Sequence, residues 1–168
     1  MTNEKVSFEY VTYIRSTPNL VFDAITKPEV SRQFWGHENV SKWTPGSKWE
    51  HVRCNEERAV EIVGEVIEVS PPNRLVTSWA GASQASDPAS RSRVTYRIED
   101  FGSQTRLTVV HDELEAGSRM ADGISQGWPL VLSSMKSYLE TGSGLDLSAE
   151  LEPRSEQSNS RKAMSSRE

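Results

Sequence analysis

Apolar and polar side chains alternate over residues 6–14, VSFEYVTYI: Val6, Phe8, Tyr10 and Ile14 fall on one face, Ser7 and Glu9 on the other. A period of two marks a strand with one buried face. Ser16-Thr17-Pro18 then reads as a helix start, since proline is tolerated in a first turn. That short helix carries Val21, Phe22 and Ile25 inward. Thr26-Lys27-Pro28-Glu29 opens a second short helix, with Thr26 and Glu29 at capping-box spacing; it ends near Phe34-Trp35-Gly36.

From there the period is that of strands. Residues 42–53 hold two apolar runs around the turn Thr44-Pro45-Gly46-Ser47. Residues 60–69, VEIVGEVIEV, form a long β-rich segment whose alternation slips at Gly64, as a bulge would make it slip. Pro71-Pro72-Asn73 closes it, and residues 75–79 form the next strand. Residues 80–90, AGASQASDPAS, are small and polar and read as a mobile loop. Val94, Tyr96 and Ile98 alternate along one strand, and Leu107, Val109 and His111 along another, with Asp100-Phe101-Gly102-Ser103 turning the chain between them. Strands in succession with short turns predict an antiparallel meander.

Over residues 118–140 the period changes to that of a helix. Met120, Ile124, Trp128, Val131, Leu132, Met135 and Leu139 line one side, while Arg119, Asp122, Gln126, Lys136 and Glu140 lie elsewhere. Such a helix is about 35 Å long, and Gly142 is placed to cap its end. The sheet is the partner large enough to cover its apolar face. The step Gly127-Trp128-Pro129 stands inside it. Pro129 removes a backbone donor and predicts a kink; Gly127 reads as a place of close approach to a neighbour. Residues 145–168 are rich in Ser, Glu and Arg and nearly free of large apolar side chains, so a domain over residues 1–144 with a disordered tail is expected.

Composition narrows the function classes. The chain has 168 residues and a net charge of −5, from 24 acidic and 19 basic side chains that are interspersed. No basic footprint for nucleic acid or an anionic membrane surface results. No apolar run approaches the ~20 residues needed to cross a bilayer, and the start, Met1-Thr2-Asn3-Glu4-Lys5, lacks the order of a secretory signal. The single cysteine, Cys54, offers no internal disulfide and no thiolate cluster. A soluble cytoplasmic protein is the expectation. His37, His51 and His111 have no metal-ligand spacing, and GxSxG, phosphate-loop and CxxC motifs are absent. Neither a metal nor a cofactor is expected, and no catalytic residue is assigned.

Three stretches occur here in a suggestive order: GEVIEVSPPNRLVTSW (64–79), TRLTVVHDE (105–113) and GWPLVLSSMKSYLETG (127–142). With PNLVFDAITKPEVSRQFW (18–35), they resemble the branch of the SRPBCC (START and Bet v 1-like) superfamily named for the activator of heat-shock-protein-90 ATPase. The resemblance covers residues 6–142. It implies an α+β helix-grip fold: a curved antiparallel sheet around a long C-terminal helix, two short helices at one end, and an internal cavity between sheet and helix. The family includes co-chaperone domains, binders of lipids or aromatic molecules, polyketide cyclases and self-resistance proteins, so the fold alone does not choose among functions.

The residues favour binding over catalysis. Trp35, Trp43, Trp49, Trp79 and Trp128 are many for a domain of this size, and tryptophan offers a large apolar face that suits a ring; for Trp49 and Trp79 a core role is an equal reading. The expected ligand-binding set is Trp35, Trp43, Trp79, Tyr96, Val109, His111, Trp128, Leu132 and Met135, around a small hydrophobic or aromatic molecule. A cyclase- or dehydratase-like enzyme is the alternative, and it requires His111 and Glu65, or another polar pair, to converge in the cavity; a satisfied core histidine is the plainer reading of His111, and a solvated glutamate an equal reading of Glu65. A co-chaperone-like interaction module is a further alternative. The family's larger co-chaperones carry an extra N-terminal domain, for which residues before Val6 leave no room, so a chaperone partner goes unsupported in the sequence. A homodimer is left open.

Overall fold

The structure, a computed structural model, describes residues 4–147. Strand β1 (Lys5–Ile14) is followed by helices α1 (Pro18–Thr26) and α2 (Pro28–Trp35). Strands β2 (His37–Ser41), β3 (Lys48–Arg53), β4 (Val60–Ser70), β5 (Arg74–Gly81), β6 (Ser92–Phe101) and β7 (Gln104–Glu115) then lead to the long helix α3 (Arg119–Thr141). The seven strands form one curved sheet in the order β1-β7-β6-β5-β4-β3-β2. Every neighbouring pair is antiparallel. Strands β2 to β7 are therefore a meander, and β1 closes onto β7. Helix α3 lies against β1, β7 and α2. Its buried side chains Ile124, Trp128, Leu132 and Met135 join Leu75, Trp79, Val94, Tyr96, Leu107 and Val109 of the sheet in one core. This is the α+β helix-grip arrangement that the alternation and the long amphipathic helix imply.

The helix ends explain how the chain turns. The Thr17 hydroxyl accepts the Leu20 amide at 3.3 Å, with Pro18 in the first turn of α1. The capping box expected at Thr26 and Glu29 is not formed. Thr26 is still helical and its hydroxyl donates back to the Phe22 carbonyl at 2.9 Å, so Lys27 becomes the cap of α2 with no side-chain bond. Gly36, at φ 70°, ends α2 and throws the chain into β2. That strand begins earlier than the apolar pattern indicates, because His37 and Asn39 are its buried positions. Residues 82–90 form two short 3₁₀ turns rather than an unstructured loop; the Ser90 hydroxyl donates to the Gln84 carbonyl at 2.6 Å and the Asp87 carboxylate accepts the Ala89 amide at 3.0 Å.

Gly64 is not a bulge. It sits in regular register opposite Trp49; the pairing irregularities fall between Val66 and Glu68 and between His51 and Val52. What Gly64 provides is room: a Cβ there would collide with the Ser78 carbonyl and with Trp49 Nε1. The indole of Trp49 crosses at this point to donate to Ser78 O at 2.8 Å. Gly64→Ala is expected to cost about 2 kcal/mol through overpacking. Urea unfolding should show a lower midpoint at unchanged slope; a wild-type midpoint would mean that β4 moves aside freely.

Helix α3 starts at Ser118, whose hydroxyl accepts the Ala121 amide at 3.1 Å, and ends at Gly142, φ 88°. It runs unbroken through Pro129, which lies on its exposed side while Trp128 is buried. Past the helix the chain folds back over the end of α2. Ser134 Oγ donates to Phe34 O at 2.6 Å and accepts the Leu145 amide at 2.9 Å. The tail expected from residue 145 thus begins with one anchored amide, and its remainder from residue 148 lies outside the described residues.

Candidate ligand pocket

The C-terminal turn of α2 supplies Trp35, and the left-handed Gly36 swings His37 to the start of β2. In the β2–β3 pairing Asn39 stands opposite His51. Since Trp49 points inward on β3, His51 two residues on must do the same, and both are buried. β4 adds Glu61 and Ile62, and β5 adds Trp79. α3 lays Gly123, Ile124, Gly127, Trp128 and Val131 across the opening. These residues enclose a pocket of about 160 Å³ between the sheet and α3.

Its walls are aromatic. Trp128 stands 5.7 Å from Trp35 and 5.6 Å from Trp79, centroid to centroid, with rings tilted at 57° and 46°. Trp35 meets the His51 ring edge to face at 4.8 Å, and His51 stacks flat on His37 at 4.2 Å. The helix contributes space here. A Cβ at Gly123 or Gly127 would meet nothing within 4 Å among the described residues. Gly127 therefore does not mediate close packing, as its place in the helix suggests; with Gly123, one turn away on the same face, it leaves the pocket open.

The histidines have fixed roles. The Asn39 amide donates to Ile25 O at 2.9 Å, which leaves Asn39 Oδ1 as an acceptor, and His51 Nδ1–H donates to it at 2.6 Å. His51 Nε2 is then the lone-pair nitrogen. Burial, and after it the charge of His37, holds the His51 pKa well below the ordinary range. His37 faces two acceptors: Trp35 O at 3.1 Å from Nδ1 and Glu61 Oε2 at 3.2 Å from Nε2. That hydrogen bond, assisted by the charges of His37 and Arg53, lowers the Glu61 pKa against the opposing effect of burial.

His111 lies elsewhere. Trp128 Nε1–H donates to His111 Nδ1 at 3.0 Å, so the proton of the neutral ring is on Nε2, which donates to Ser92 Oγ at 2.8 Å. Ser92 in turn donates to Trp79 O at 3.0 Å. Both ring nitrogens are occupied and the residue is fully buried. Burial pushes the His111 pKa down to about 4. Glu65 is exposed, in a separate groove beside Lys48, Ser78 and Arg91. His111 and Glu65, the polar pair named for an enzyme, are therefore not brought together.

Of the expected ligand-binding residues, Trp35, Trp79 and Trp128 line the pocket. Tyr96, Val109, His111, Leu132 and Met135 are core residues outside its lining. Trp43, at φ 53° in the β2–β3 turn, donates from Nε1 to Thr26 O at 2.7 Å and belongs to the end of α1. The sequence weighs His37 and His51 only as metal ligands and Gly127 only as a close approach, and it singles out neither Glu61 nor Gly123, although the parity of His51 with Trp49 is readable. A larger groove, of about 370 Å³, runs between the 82–90 turns and the start of α3, but its walls are mostly Ser83, Gln84, Ser86, Asp87, Glu113 and Arg119. It presents no aromatic face and suits an apolar ring poorly. Among the described residues no group of His, Cys, Asp and Glu is placed to hold a metal, and no helix is long and apolar enough to cross a membrane.

The sheet, the gripped helix and the cavity between them define a protein of the START and Bet v 1-like superfamily. Within it, the chain belongs to the family of activator of Hsp90 ATPase homolog 1-like proteins, whose model matches residues 15–140. No curated protein matches the chain. Among solved structures it is similar to the Aha1 dimer of Colwellia psychrerythraea, with a TM-score of 0.69 and 19% identity over 83% of this chain and 99% of that one. It is also similar to PFC0360w, an Hsp90 activator from Plasmodium falciparum, with a TM-score of 0.60 and 21% identity over 73% and 86%. CalU16 from Micromonospora echinospora matches with a TM-score of 0.58 and 22% identity over 75% and 71%. Identities this low speak for the fold.

Proposed function

We propose that the protein binds a small, largely apolar aromatic molecule in the pocket between β3, β4, β5 and α3. One observation carries this reading: indoles from three separate elements, Trp35, Trp79 and Trp128, converge on an open space that two helix glycines keep clear. A glycine inside a helix costs about 1 kcal/mol relative to alanine, and here the cost has no packing return. A concave apolar wall with a few polar groups is what small-molecule sites offer.

Gly127→Phe tests the reading. Its Cβ meets no neighbour among the described residues, and its ring would occupy the pocket while the helix gains a better helix former. The variant is expected to unfold at or above the wild-type temperature. It should also lose the saturable quenching of tryptophan fluorescence that one- and two-ring aromatics produce in the wild type. Equal quenching in both proteins would place the ligand elsewhere.

A second reading, an enzyme of the cyclase type, would rest on His51, a pocket-lining residue whose Nε2 keeps its lone pair. Turnover lost in His51→Gln with binding retained would favour it. A chaperone-regulating role, by analogy with the Hsp90 activator above, needs an outward apolar surface. The pair Tyr13 and Phe101, edge to face at 5.5 Å, is one such place, but Arg106 already covers the Phe101 ring at 5.1 Å.

A further inference from the structure

Among the described residues, the sealed side-chain polar atom that lacks a partner is Thr77 Oγ1. His51 Nε2 also has no hydrogen-bond partner among the described residues, yet it is not sealed. A buried nitrogen that is neither bonded nor closed off borders open space, and the pocket is the space that His51 and Trp35 both line. The same holds for Trp35 Nε1–H: it makes no hydrogen bond among the described residues and is not sealed, whereas the indole N–H groups of Trp43, Trp49, Trp79 and Trp128 all have acceptors. The His51 ring cannot reverse its polarity, because Asn39 Oδ1 holds the proton on Nδ1. Among the pocket's residues an acceptor, His51 Nε2, and a donor, Trp35 Nε1–H, thus remain unfilled on rings whose centroids are 4.8 Å apart.

We infer that the ligand is a one- or two-ring phenol, whose hydroxyl donates to His51 Nε2 and accepts from Trp35 Nε1–H. The inference rests on the reading of the pocket as a ligand site and specifies what that site selects. Of the common aromatic substituents, the hydroxyl is both donor and acceptor on a single atom. An ether is an acceptor alone and leaves His51 unpaired. A carboxylate sets negative charge beside the Glu61 carboxylate. Glu61 is itself held by His37 and by Arg53 at 3.7 Å, so it is not left over to hold a cationic ligand. Size agrees: about 160 Å³ is close to the ~150 Å³ apolar cavity that accommodates benzene. A second ring reaches toward the mouth beside Gly123 and Gly127, and an extended acyl chain or a multi-ring polyketide exceeds the walls.

Calorimetric titration of the full chain with 2-naphthol, 2-methoxynaphthalene and 2-naphthoate tests it, because the three share one ring system. The naphthol is expected to bind about tenfold or more tightly than the methyl ether, the loss that follows when a site's polar group is left unpaired, and the naphthoate more weakly than the naphthol. In parallel, the ¹⁵N resonance of His51 Nε2 should move on addition of the naphthol and stay in place with the ether. This readout needs no substitution, so it holds even if His51→Gln fails to fold. Equal affinities for naphthol and ether, or an unmoved His51 resonance, overturn the phenol inference and leave the pocket standing. Absence of binding by any of the three, with tryptophan fluorescence unchanged, overturns both.

Discussion

Between pH 7 and pH 4 the folded protein is expected to lose about 3 kcal/mol of stability through His111 alone. In the fold this histidine must be neutral, since its Nδ1 accepts the Trp128 indole N–H and its Nε2–H is given to Ser92. Its pKa there is about 4, against ~6.5 in an unfolded chain. The unfolded state therefore takes up the proton first as the pH falls. The contribution is fully present above about pH 6.5 and is lost progressively toward pH 4. His51, whose pKa is also depressed, adds to the loss in the same direction. The ion-paired carboxylates, among them Glu38 and Glu99, have lowered pKa values and act further down the scale. Urea unfolding at a series of pH values checks this. In His111→Gln, which can still accept from Trp128 and donate to Ser92, the dependence between pH 6.5 and 4 should flatten. An unchanged dependence would remove His111 from the account.

The largest single-residue effect is expected at Trp128. Its indole touches Trp35, Trp79 and Tyr96, with centroids at 5.7, 5.6 and 6.0 Å, and only 3% of it is exposed. Trp128→Ala should cost about 3–5 kcal/mol through lost packing and the cavity left behind. It also leaves His111 Nδ1 buried without its donor, a further cost of about 1–3 kcal/mol. Trp128→Phe separates the two contributions: it keeps a ring and removes the N–H, so about 1–3 kcal/mol should remain. Chemical denaturation of both variants measures the split. A Trp128→Phe protein as stable as wild type would mean that the indole–imidazole bond contributes nothing. Because Trp128 is so large a part of the core, its alanine variant is a poor probe of binding, and Gly127→Phe is the better one.

Alternation and helical spacing read the architecture well, because the strands and α3 bury apolar faces. Val94, Tyr96 and Ile98, and likewise Ile124, Trp128 and Met135, point inward as their spacing requires. The pattern failed where the inward side chains are polar. His37 and Asn39 are buried on β2, so a hydropathy reading begins this strand region too late and passes over the pocket's polar wall. The two glycines were misread for a related reason. Sequence shows that a side chain is missing, whereas only the fold shows whether the gap is filled by a neighbour, as at Gly64, or left open, as at Gly127. Composition likewise cannot separate Trp43, which caps the end of α1, from Trp35, which lines the pocket. At Thr26 the spacing was that of a cap, but the residue was already inside the preceding helix.

The central claim, that Trp35, Trp79 and Trp128 wall a ligand site, is tested most directly by the five indole N–H signals in ¹H–¹⁵N spectra during a titration with 2-naphthol. The account predicts that the signals of Trp35, Trp79 and Trp128 move together and saturate, while that of Trp43, bonded to Thr26 O, stays in place. It also predicts that Gly127→Phe abolishes the movement. Binding that moves Trp43 and leaves the other three still would contradict it.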